Sequence, residues 1–212
     1  MSALFYTVTE QNIDISIIKK TVEVLKNGGL AVFPTETVYG IGVDAFNKQA
    51  IMALYEKKQR PLDKPLLMHV SGIEMAEEVA FLDENARELI KRYSPGPLTL
   101  VVKKKPSVPS IAVSNGETVG LRFPSNKIFL EISKAFGNPI AATSANLSGF
   151  KSAVDAAELT AVRDIADIII GGGACELGLE STIVSLVGER PKILRLGSFP
   201  KEKIEEVLGK CD

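Results

Sequence analysis

The sequence predicts an α/β fold built on a mixed β-sheet. Patterns typical of helices alternate with short apolar runs of strand length along most of the chain. Two late strand-like runs, Thr182–Val187 and Lys192–Leu196, flank a turn-forming segment at 188–191 and predict a hairpin. No internal repeat, low-complexity segment or linker interrupts the pattern, so we expect one domain over residues 1–212.

The predicted helices follow from apolar residues at helical spacing and from polar residues suited to cap their ends. In the first helix Ile18 and Leu25 fall on one face, and Gly28 ends it. Asn47 and Asp83 are suited to begin two later helices. In chain order the predicted helices are Asn12–Asn27, Asn47–Lys57, Glu74–Ala80, Asp83–Tyr93, one capped by Ser125 or Asn126 that ends near Phe136, Val154–Arg163 and Pro200–Leu208.

The predicted strands are short apolar or β-branched runs bounded by Gly, Pro or polar residues. Leu98–Val102 is apolar or β-branched throughout, which is typical of a strand buried on both faces. The polar residues Thr35–Thr37, followed by Gly40 and Gly42, predict a loop. In chain order the strands before the hairpin are Leu30–Phe33, Leu66–Val70, Leu98–Val102, Val119–Phe123, Pro139–Ala142 and Asp167–Ile170.

Composition and charge argue against several classes of protein. The chain is 45% apolar and 24% charged, as in ordinary globular proteins, and its net charge of −1 provides no overall field to attract nucleic acid. Two cysteines and one histidine argue against a disulfide framework and a structural zinc site. No apolar run is long enough to span a membrane, and the first residues lack the pattern of a signal peptide, so we expect a cytoplasmic protein.

A basic stretch at residues 57–65, KKQRPLDKP, is the first candidate binding element. Pro61 and Pro65 stiffen it and predict an extended course, in which Lys58 and Arg60 project to the same side. Two fixed cations on one face suit a polyphosphate. The alternative is a basic turn that only faces water.

Two glycine motifs resemble nucleotide-binding fingerprints but fail on their context. Gly40-x-Gly42-x-x-Ala45 is separated from the preceding strand by six residues, Pro34 to Tyr39, where a dinucleotide site needs a tight turn. Gly173 and Gly178 have P-loop spacing, but Leu179 and Glu180 stand where Lys and Ser or Thr are required. We therefore predict neither site.

Small polar residues after strands, and polar residues inside them, form the second set of candidates. Ser144 and Asn146 are two residues apart and can face one ligand, although both residue types also form turns and caps. Arg122 and His69 lie inside apolar strands; Arg122 must be paired or face a cleft, and His69 is either a core residue or a ligand contact. Without a nucleophile–base pair or a metal cluster, these residues favour binding and aligning an anionic, phosphate-bearing substrate.

A series of longer motifs runs in order between about residues 10 and 200. They are Pro34-Thr-Glu-Thr-Val-Tyr-Gly40, Lys58-Gln-Arg60-Pro61 with Lys64-Pro65, Pro95-Gly-Pro-Leu-Thr99, Arg122-Phe-Pro124, Thr143-Ser-Ala-Asn-Leu-Ser-Gly149, Glu180-Ser-Thr182 and Leu194-Arg-Leu-Gly197. Together they resemble the YrdC family, the threonylcarbamoyl-AMP synthases. The resemblance implies a twisted mixed sheet, flanked by helices, with a concave cleft. It also implies an enzyme, a nucleotidyltransferase that converts L-threonine, bicarbonate and ATP to L-threonylcarbamoyl-AMP and pyrophosphate for the modification of tRNA.

The same resemblance assigns roles to individual residues. The ATP contacts it implies are Lys58, Arg60, Thr118, Ser144, Asn146, Ser152 and Arg195, of which Lys58 and Arg60 would also serve catalysis. The threonine contacts it implies are Thr35, His69, Arg122, Ala142 (through its backbone) and Ser181. Ala153 departs from the proline that the family often has at that position, which weakens the assignment of Ser152.

The resemblance implies Mg²⁺ with ATP, no metal held by the protein alone, and a separate transferase that acts on tRNA. The chain resembles the short form of the family. With a net charge of −1 we expect direct tRNA binding to be weak or absent. Two alternatives stay open: a paralogue with another adenylate or carbamoyl substrate, and a non-catalytic RNA-binding module, against which the near-neutral charge counts.

Overall fold

The structure is a computed structural model that describes residues 3–212. In this part of the chain it has ten strands: β1 Leu4–Thr7, β2 Ala31–Phe33, β3 Gly40–Asp44, β4 Leu67–His69, β5 Gly96–Lys103, β6 Thr118–Phe123, β7 Ile140–Ser144, β8 Ile168–Gly171, β9 Thr182–Ser185 and β10 Lys192–Arg195. The α-helices are α1 Ile15–Lys26, α2 Lys48–Lys58, α3 Ile73–Val79, α4 Glu84–Tyr93, α5 Lys127–Phe136 and α6 Lys201–Leu208. Short 3₁₀ helices cover Ser110–Val113 and Ala156–Val162.

All ten strands join one sheet in the order β1-β8-β2-β3-β7-β4-β6-β5-β9-β10. The sheet is mixed: β4 runs parallel to β6, for example, while β7 runs antiparallel to both β3 and β4. The late hairpin is present as the antiparallel pair β9–β10. The predicted α/β class with a mixed sheet is therefore confirmed.

Helix ends match the caps that the sequence predicts. The side chains of Asn47, Asp83 and Asn126 each accept a backbone N–H bond in the first turn of α2, α4 and α5. The first helix begins three residues later than predicted, because Asp14 caps it by accepting a hydrogen bond of 2.8 Å from the Ser16 amide. Gly28 follows α1 with a φ of +78°, a left-handed conformation that favours glycine.

The two faces of the sheet are covered differently. On one face a large apolar core packs residues such as Val32 and Leu121 against α2, α3 and α4. On the other face α1 and α5 pack over one half of the sheet, against Phe33, Ile140 and Ile168. The remaining half of this second face, over β4, β6, β5 and β9, is left open to form a cavity.

The structure adds two strands that the sequence analysis does not predict, β1 and β3. Gly40 and Gly42, predicted as part of a loop, both lie in β3. A Cβ at position 42 would lie 2.6 Å from Ile140 Cγ2 and 2.9 Å from the Ala142 Cβ, so glycine permits the close packing of this central strand. The predicted helix at 154–163 is a 3₁₀ helix. No α-helix within residues 3–212 is long and apolar enough to cross a membrane.

Candidate active site

The open half of the second sheet face forms a cavity of about 510 Å³. Strand register places its wall: Leu67 is paired with both Gly120 and Ala142, and His69 is paired with Arg122. Cross-strand partners project to the same side of a sheet, so these residues face one space. This part of the wall is therefore built by three adjacent strands, β7, β4 and β6, rather than by a single loop.

The cavity has two ends along the strands. Thr118 begins β6 and Arg122 lies four residues further on, which separates them by roughly 13 Å at the rise of an extended strand. The basic stretch leads directly into the start of β4, at the Thr118 end, whereas His69 lies at the Arg122 end. The predicted nucleotide contact Thr118 and the predicted threonine contacts His69 and Arg122 thus lie at opposite ends of one strand pair.

Lys58 is positioned differently from the prediction. Helix α2 continues to Lys58, and Gln59 ends it in a left-handed conformation with a φ of 52°. Because the first proline of the stretch is Pro61, the helix continues up to Lys58, and the predicted extended geometry of this pair is wrong. Lys58 is 1% exposed and stands behind the cavity wall, whereas Arg60 lines the cavity.

The ammonium group of Lys58 holds the loop that follows β7. It donates hydrogen bonds to the carbonyl oxygen of Ser144 at 2.6 Å, to Asn146 Oδ1 at 3.0 Å and to the carbonyl oxygen of Asn146. Burial, and then the charge of Arg60, lower the pKa of Lys58 to about 7. The structure therefore brings the two predicted loops together, with Lys58 as the link between them.

The side chains of this loop are bonded to each other as well. Ser144 Oγ donates to Asn146 Oδ1 at 2.7 Å, and Asn146 Nδ2 donates to the carbonyl oxygen of Phe150. Ser144 lines the cavity and Asn146 stands behind it. Arg60 closes its own turn, donating from Nε to the Lys64 carbonyl at 3.0 Å and from Nη2 to the Pro65 carbonyl at 2.9 Å.

Arg122 is buried and forms an ion pair that the sequence analysis does not predict. Its Nη2 donates to Glu36 Oε1 at 2.8 Å, and both side chains are at most 5% exposed. Nη2 also approaches Thr37 Oγ1 at 3.4 Å, and Nη1 donates to the carbonyl oxygens of Gly96 and Phe123. Both terminal nitrogens thus have acceptors within the protein. Bidentate binding of a ligand carboxylate by Arg122 would require some of these hydrogen bonds to be exchanged.

The other predicted threonine contacts surround Arg122. The Thr35 hydroxyl donates to the carbonyl oxygen of Val38 at 2.6 Å and lies 2.8 Å from Thr37 Oγ1. Burial and the charge of Arg122 lower the pKa of His69 to about 3, so its ring is neutral at physiological pH. Ala142 lies in β7 and lines the cavity.

A hydrogen-bonded chain links the remaining predicted residues. Ser181 Oγ lies 2.8 Å from the fully buried Thr99 Oγ1 and accepts a bond of 3.2 Å from Arg195 Nη2. Arg195 Nη1 pairs with Glu180, whose other oxygen accepts a bond of 3.0 Å from Ser152 Oγ. Ser152 reaches the cavity only through Glu180, which itself lines it.

Most of the predicted residues surround the same cavity. Those that line it are Thr35, Arg60, His69, Thr118, Arg122, Ala142, Ser144, Ser181 and Arg195. Lys58, Asn146 and Ser152 each lie one hydrogen bond behind a residue of the wall. The sequence analysis does not single out Glu36 or Thr99 as site residues, and it considers Glu180 only as evidence against a P-loop.

The lining of the cavity suits an anionic ligand. Arg60 supplies positive charge, Arg122 and Arg195 add guanidinium groups that are each paired with a carboxylate, and Thr35, Ser144 and Ser181 add hydroxyl groups. Within residues 3–212 the structure has no group of three or more His, Cys, Asp or Glu side chains that could hold a metal ion. The arrangement can bind and align a phosphate-bearing ligand beside a smaller one.

Comparison with protein families gives one strong match. A family model labelled Sua5_yciO_yrdC, with the description "Telomere recombination", matches residues 23–197. A protein of Pyrococcus abyssi named threonylcarbamoyl-AMP synthase is 40% identical over 189 residues, which cover 87% of this chain and 55% of the relative. A Bacillus subtilis protein of the same name is 41% identical over 196 residues, which cover 91% of this chain and 56% of the relative. The chain spans about half the length of these two relatives.

A solved structure agrees with the sequence comparison. The crystal structure of P. abyssi Sua5 complexed with L-threonine superposes with a TM-score of 0.94 at 36% identity. The match covers 100% of this chain and 62% of the other. The fold described above is therefore the one that this threonine-binding protein adopts over the matched part.

Proposed function

This chain belongs to the Sua5/YciO/YrdC family, and from that membership we propose that it is a threonylcarbamoyl-AMP synthase. The proposed reaction joins L-threonine, bicarbonate and ATP to give L-threonylcarbamoyl-AMP and pyrophosphate. The observation that carries the proposal is the single cavity, which collects residues of both predicted sets, such as Arg60 and Thr118 for the nucleotide and His69 and Arg122 for threonine. A reaction between two bound molecules requires both to be held in one space.

In the proposed reaction the amine of threonine and bicarbonate first combine to a carbamate; a C–N bond forms, a C–O bond of bicarbonate breaks, and water is released. A carbamate oxygen then attacks the α-phosphorus of ATP; a new P–O bond forms, the bond to the bridging oxygen breaks, and pyrophosphate leaves with the electron pair. The protein supplies positioning and charge: Arg60 and Arg195 would face the phosphates, while Arg122 would face the threonine carboxylate. No protein nucleophile is required.

Lys58 has an indirect role in this proposal. Two of its three hydrogen bonds hold the backbone carbonyls of Ser144 and Asn146 and the third holds Asn146 Oδ1, and Ser144 lines the cavity. The ammonium therefore shapes the proposed nucleotide subsite from behind, as a positioning residue. The predicted role of Asn146 is of the same kind, since its carboxamide oxygen accepts from Ser144 and Lys58 together.

Mg²⁺ is proposed to enter with ATP. The acids that line the cavity are Asp63 and Glu180, and residues 3–212 contain no larger group of metal-binding side chains. This donor set fits an ion held chiefly by the phosphates of the nucleotide and their waters. When bound, the ion neutralises charge on the phosphates.

The wider role is proposed from the family as well. The adenylate would be consumed in the modification of tRNA, at the adenosine that follows the anticodon, by a separate transferase in the cytoplasm. The near-neutral charge of this chain supports delivery of a small product rather than tight binding of tRNA.

The test is pyrophosphate release from ATP and bicarbonate with each of several amino acids. We expect release that depends on both threonine and bicarbonate, with L-threonylcarbamoyl-AMP identified by mass spectrometry. Omission of bicarbonate is the control, because simple adenylation of an amino acid would not need it. Pyrophosphate release that ignores threonine but responds to another acceptor would replace the proposal with a paralogous activity.

A further inference from the structure

Glu180 occupies an unusual position in a cavity otherwise suited to anions. Glu180 lines the cavity, and both of its carboxylate oxygens accept hydrogen bonds, one from Ser152 Oγ at 3.0 Å and the other from Arg195 Nη1. These two donors come from separate parts of the chain, and both belong to the set proposed to bind ATP. A carboxylate held in this way uses the same donors that a phosphate would use.

The backbone of Glu180 is held in place, whereas its hydrogen-bonded side chain is partly exposed. Its carbonyl oxygen accepts a bond of 2.8 Å from the Ser198 amide, and a Cβ at Gly197 would lie 2.1 Å from the same oxygen, so the two segments are in close contact. The side chain, in contrast, is 37% exposed, as is that of Arg195. The carboxylate is therefore already in contact with solvent, and its displacement from Ser152 and Arg195 does not require a buried charge to be exposed.

We propose that Glu180 is an internal competitor of the nucleotide's phosphates, holding Ser152 and Arg195 until a polyphosphate displaces it. The inference rests on the proposed function, because it assumes that ATP uses these two donors. As a consequence, ATP binds less tightly than it would if Ser152 and Arg195 had no internal partner. A fraction of the protein molecules has both donors bonded to Glu180, and this fraction must exchange those bonds before ATP can use the donors. After the reaction, Glu180 would bond to Ser152 and Arg195 again in place of pyrophosphate, which would favour the release of pyrophosphate.

The test compares the dissociation constant of Mg-ATP for the wild-type chain and for Glu180→Gln, by calorimetry at one fixed ionic strength and without threonine. Glutamine keeps the size and the ability to accept from Ser152 but removes the charge that competes with phosphate. We expect Glu180→Gln to bind Mg-ATP about two- to fivefold more tightly, the upper part of the range for a partly exposed ion pair. Inorganic pyrophosphate should gain by a similar factor.

Glu176→Gln is the matched control, because it removes an exposed acid from the same loop. An equal gain in this variant would show a general effect of charge and overturn the proposal. A second control is Arg195→Gln, in which Glu180→Gln should bring a smaller further gain because the charged one of the two contested donors is absent.

Two other results also overturn the proposal. Unchanged affinity in Glu180→Gln would show that the carboxylate does not compete, and weaker affinity would show that it supports binding. Both leave the proposed synthase intact, because the wild-type chain still binds Mg-ATP. A wild-type chain that binds no Mg-ATP would instead contradict the proposed function itself, and the inference with it.

Discussion

Glu36 Oε1 accepts a hydrogen bond of 2.8 Å from Nη2 of Arg122, and the pair lies buried at the back of the cavity. The other oxygen of Glu36 accepts from the Ser125 amide at 3.2 Å. The carboxylate therefore holds both the guanidinium and the segment just before α5. A buried charge of this kind is stable only while its partner is present.

The first prediction follows from this pair. Glu36→Ala should lower the free energy of unfolding by about 3–5 kcal/mol, because it leaves the guanidinium of Arg122 buried without its counter-charge. Urea unfolding measures the change. Glu77→Ala is the control, since Glu77 pairs with Arg87 at the exposed surface, and we expect it to cost about 1 kcal/mol or less. Similar losses in the two variants would contradict the structural importance of the buried pair.

This pair also shows what the sequence could not reveal. Arg122 inside an apolar strand predicts a partner or a cleft, but Glu36 is 86 residues away, and only the folded sheet brings the two together. The loop prediction for Gly40 and Gly42 failed for a related reason. In a sequence, glycine usually indicates the end of a strand, whereas the close packing of Ile140 against Gly42 exists only in the assembled sheet.

What the sequence could predict depended on local rules and on long motifs. Caps such as Asn47 and Asp83 define helix starts because the capping bond lies within one turn. The motifs identified residues around the cavity, such as Arg60 before β4, Ser144 at the end of β7 and Ser181 before β9. The extended geometry expected for Lys58 was wrong because a proline disrupts a helix only over the few residues that precede it. Pro61 therefore allows α2 to continue as far as Lys58.

The second prediction concerns Arg60 as a nucleotide contact. Arg60→Ala should raise the dissociation constant of Mg-ATP about tenfold or more, because a half-buried guanidinium that lines the cavity is lost. Arg60→Lys should fall in between, since it keeps the charge but not the planar fork. Calorimetry measures the affinities. Both substitutions alter the hydrogen bonds that Arg60 donates to the Lys64 and Pro65 carbonyl oxygens, so thermal unfolding is used to check that each variant is still folded. Unchanged affinity in both variants would remove Arg60 from the site.

The third prediction concerns the pH dependence of stability. Burial lowers the pKa of Lys58 from 10.5 to about 7 in the folded protein. Between these values the unfolded chain binds more protons at this residue than the folded chain, so the free energy of unfolding should rise with pH across that window. We expect Lys58→Met to flatten this rise in urea-unfolding measurements made at several pH values.

Lys57→Met is the control for that experiment. Lys57 is the neighbouring residue of the same helix, and its side chain is 41% exposed beside Asp167. The Lys57→Met substitution should therefore leave the dependence of the free energy of unfolding on pH nearly unchanged. Slopes that are the same for wild type and Lys58→Met would show that Lys58 titrates as an ordinary exposed lysine.

The fourth prediction concerns RNA. With a net charge of −1, the chain should bind tRNA weakly, and the binding should fall steeply as salt is raised. Filter binding of labelled tRNA over a series of salt concentrations measures both properties. Tight binding at physiological salt by this chain alone would contradict delivery of the adenylate to a separate transferase and would favour a direct role on RNA.

The last prediction concerns the choice of amino acid. Arg122 cannot select threonine, because every amino acid has a carboxylate, so selection must come from groups near the side chain. Thr35, His69 and Ser181 offer hydrogen-bonding groups around Arg122 and can pair with the threonine hydroxyl. Valine would form none of the hydrogen bonds that the threonine hydroxyl can make with these groups, each worth roughly 0.5–1.5 kcal/mol, whereas serine lacks only a methyl group, worth on the order of 1–3 kcal/mol in total.

We therefore expect adenylate formation to favour threonine over serine and serine over valine, measured as pyrophosphate release in competition. Arg122→Ala should lower activity with threonine and serine alike. Ser181→Ala should narrow the gap between threonine and valine, because it removes a hydroxyl that Thr99 and Arg195 hold in place. Thr99→Ser is the matched control: it keeps that hydroxyl partner and should keep the gap. If valine were used better than serine, the proposed side-chain pocket would be wrong, although the adenylating chemistry could still stand.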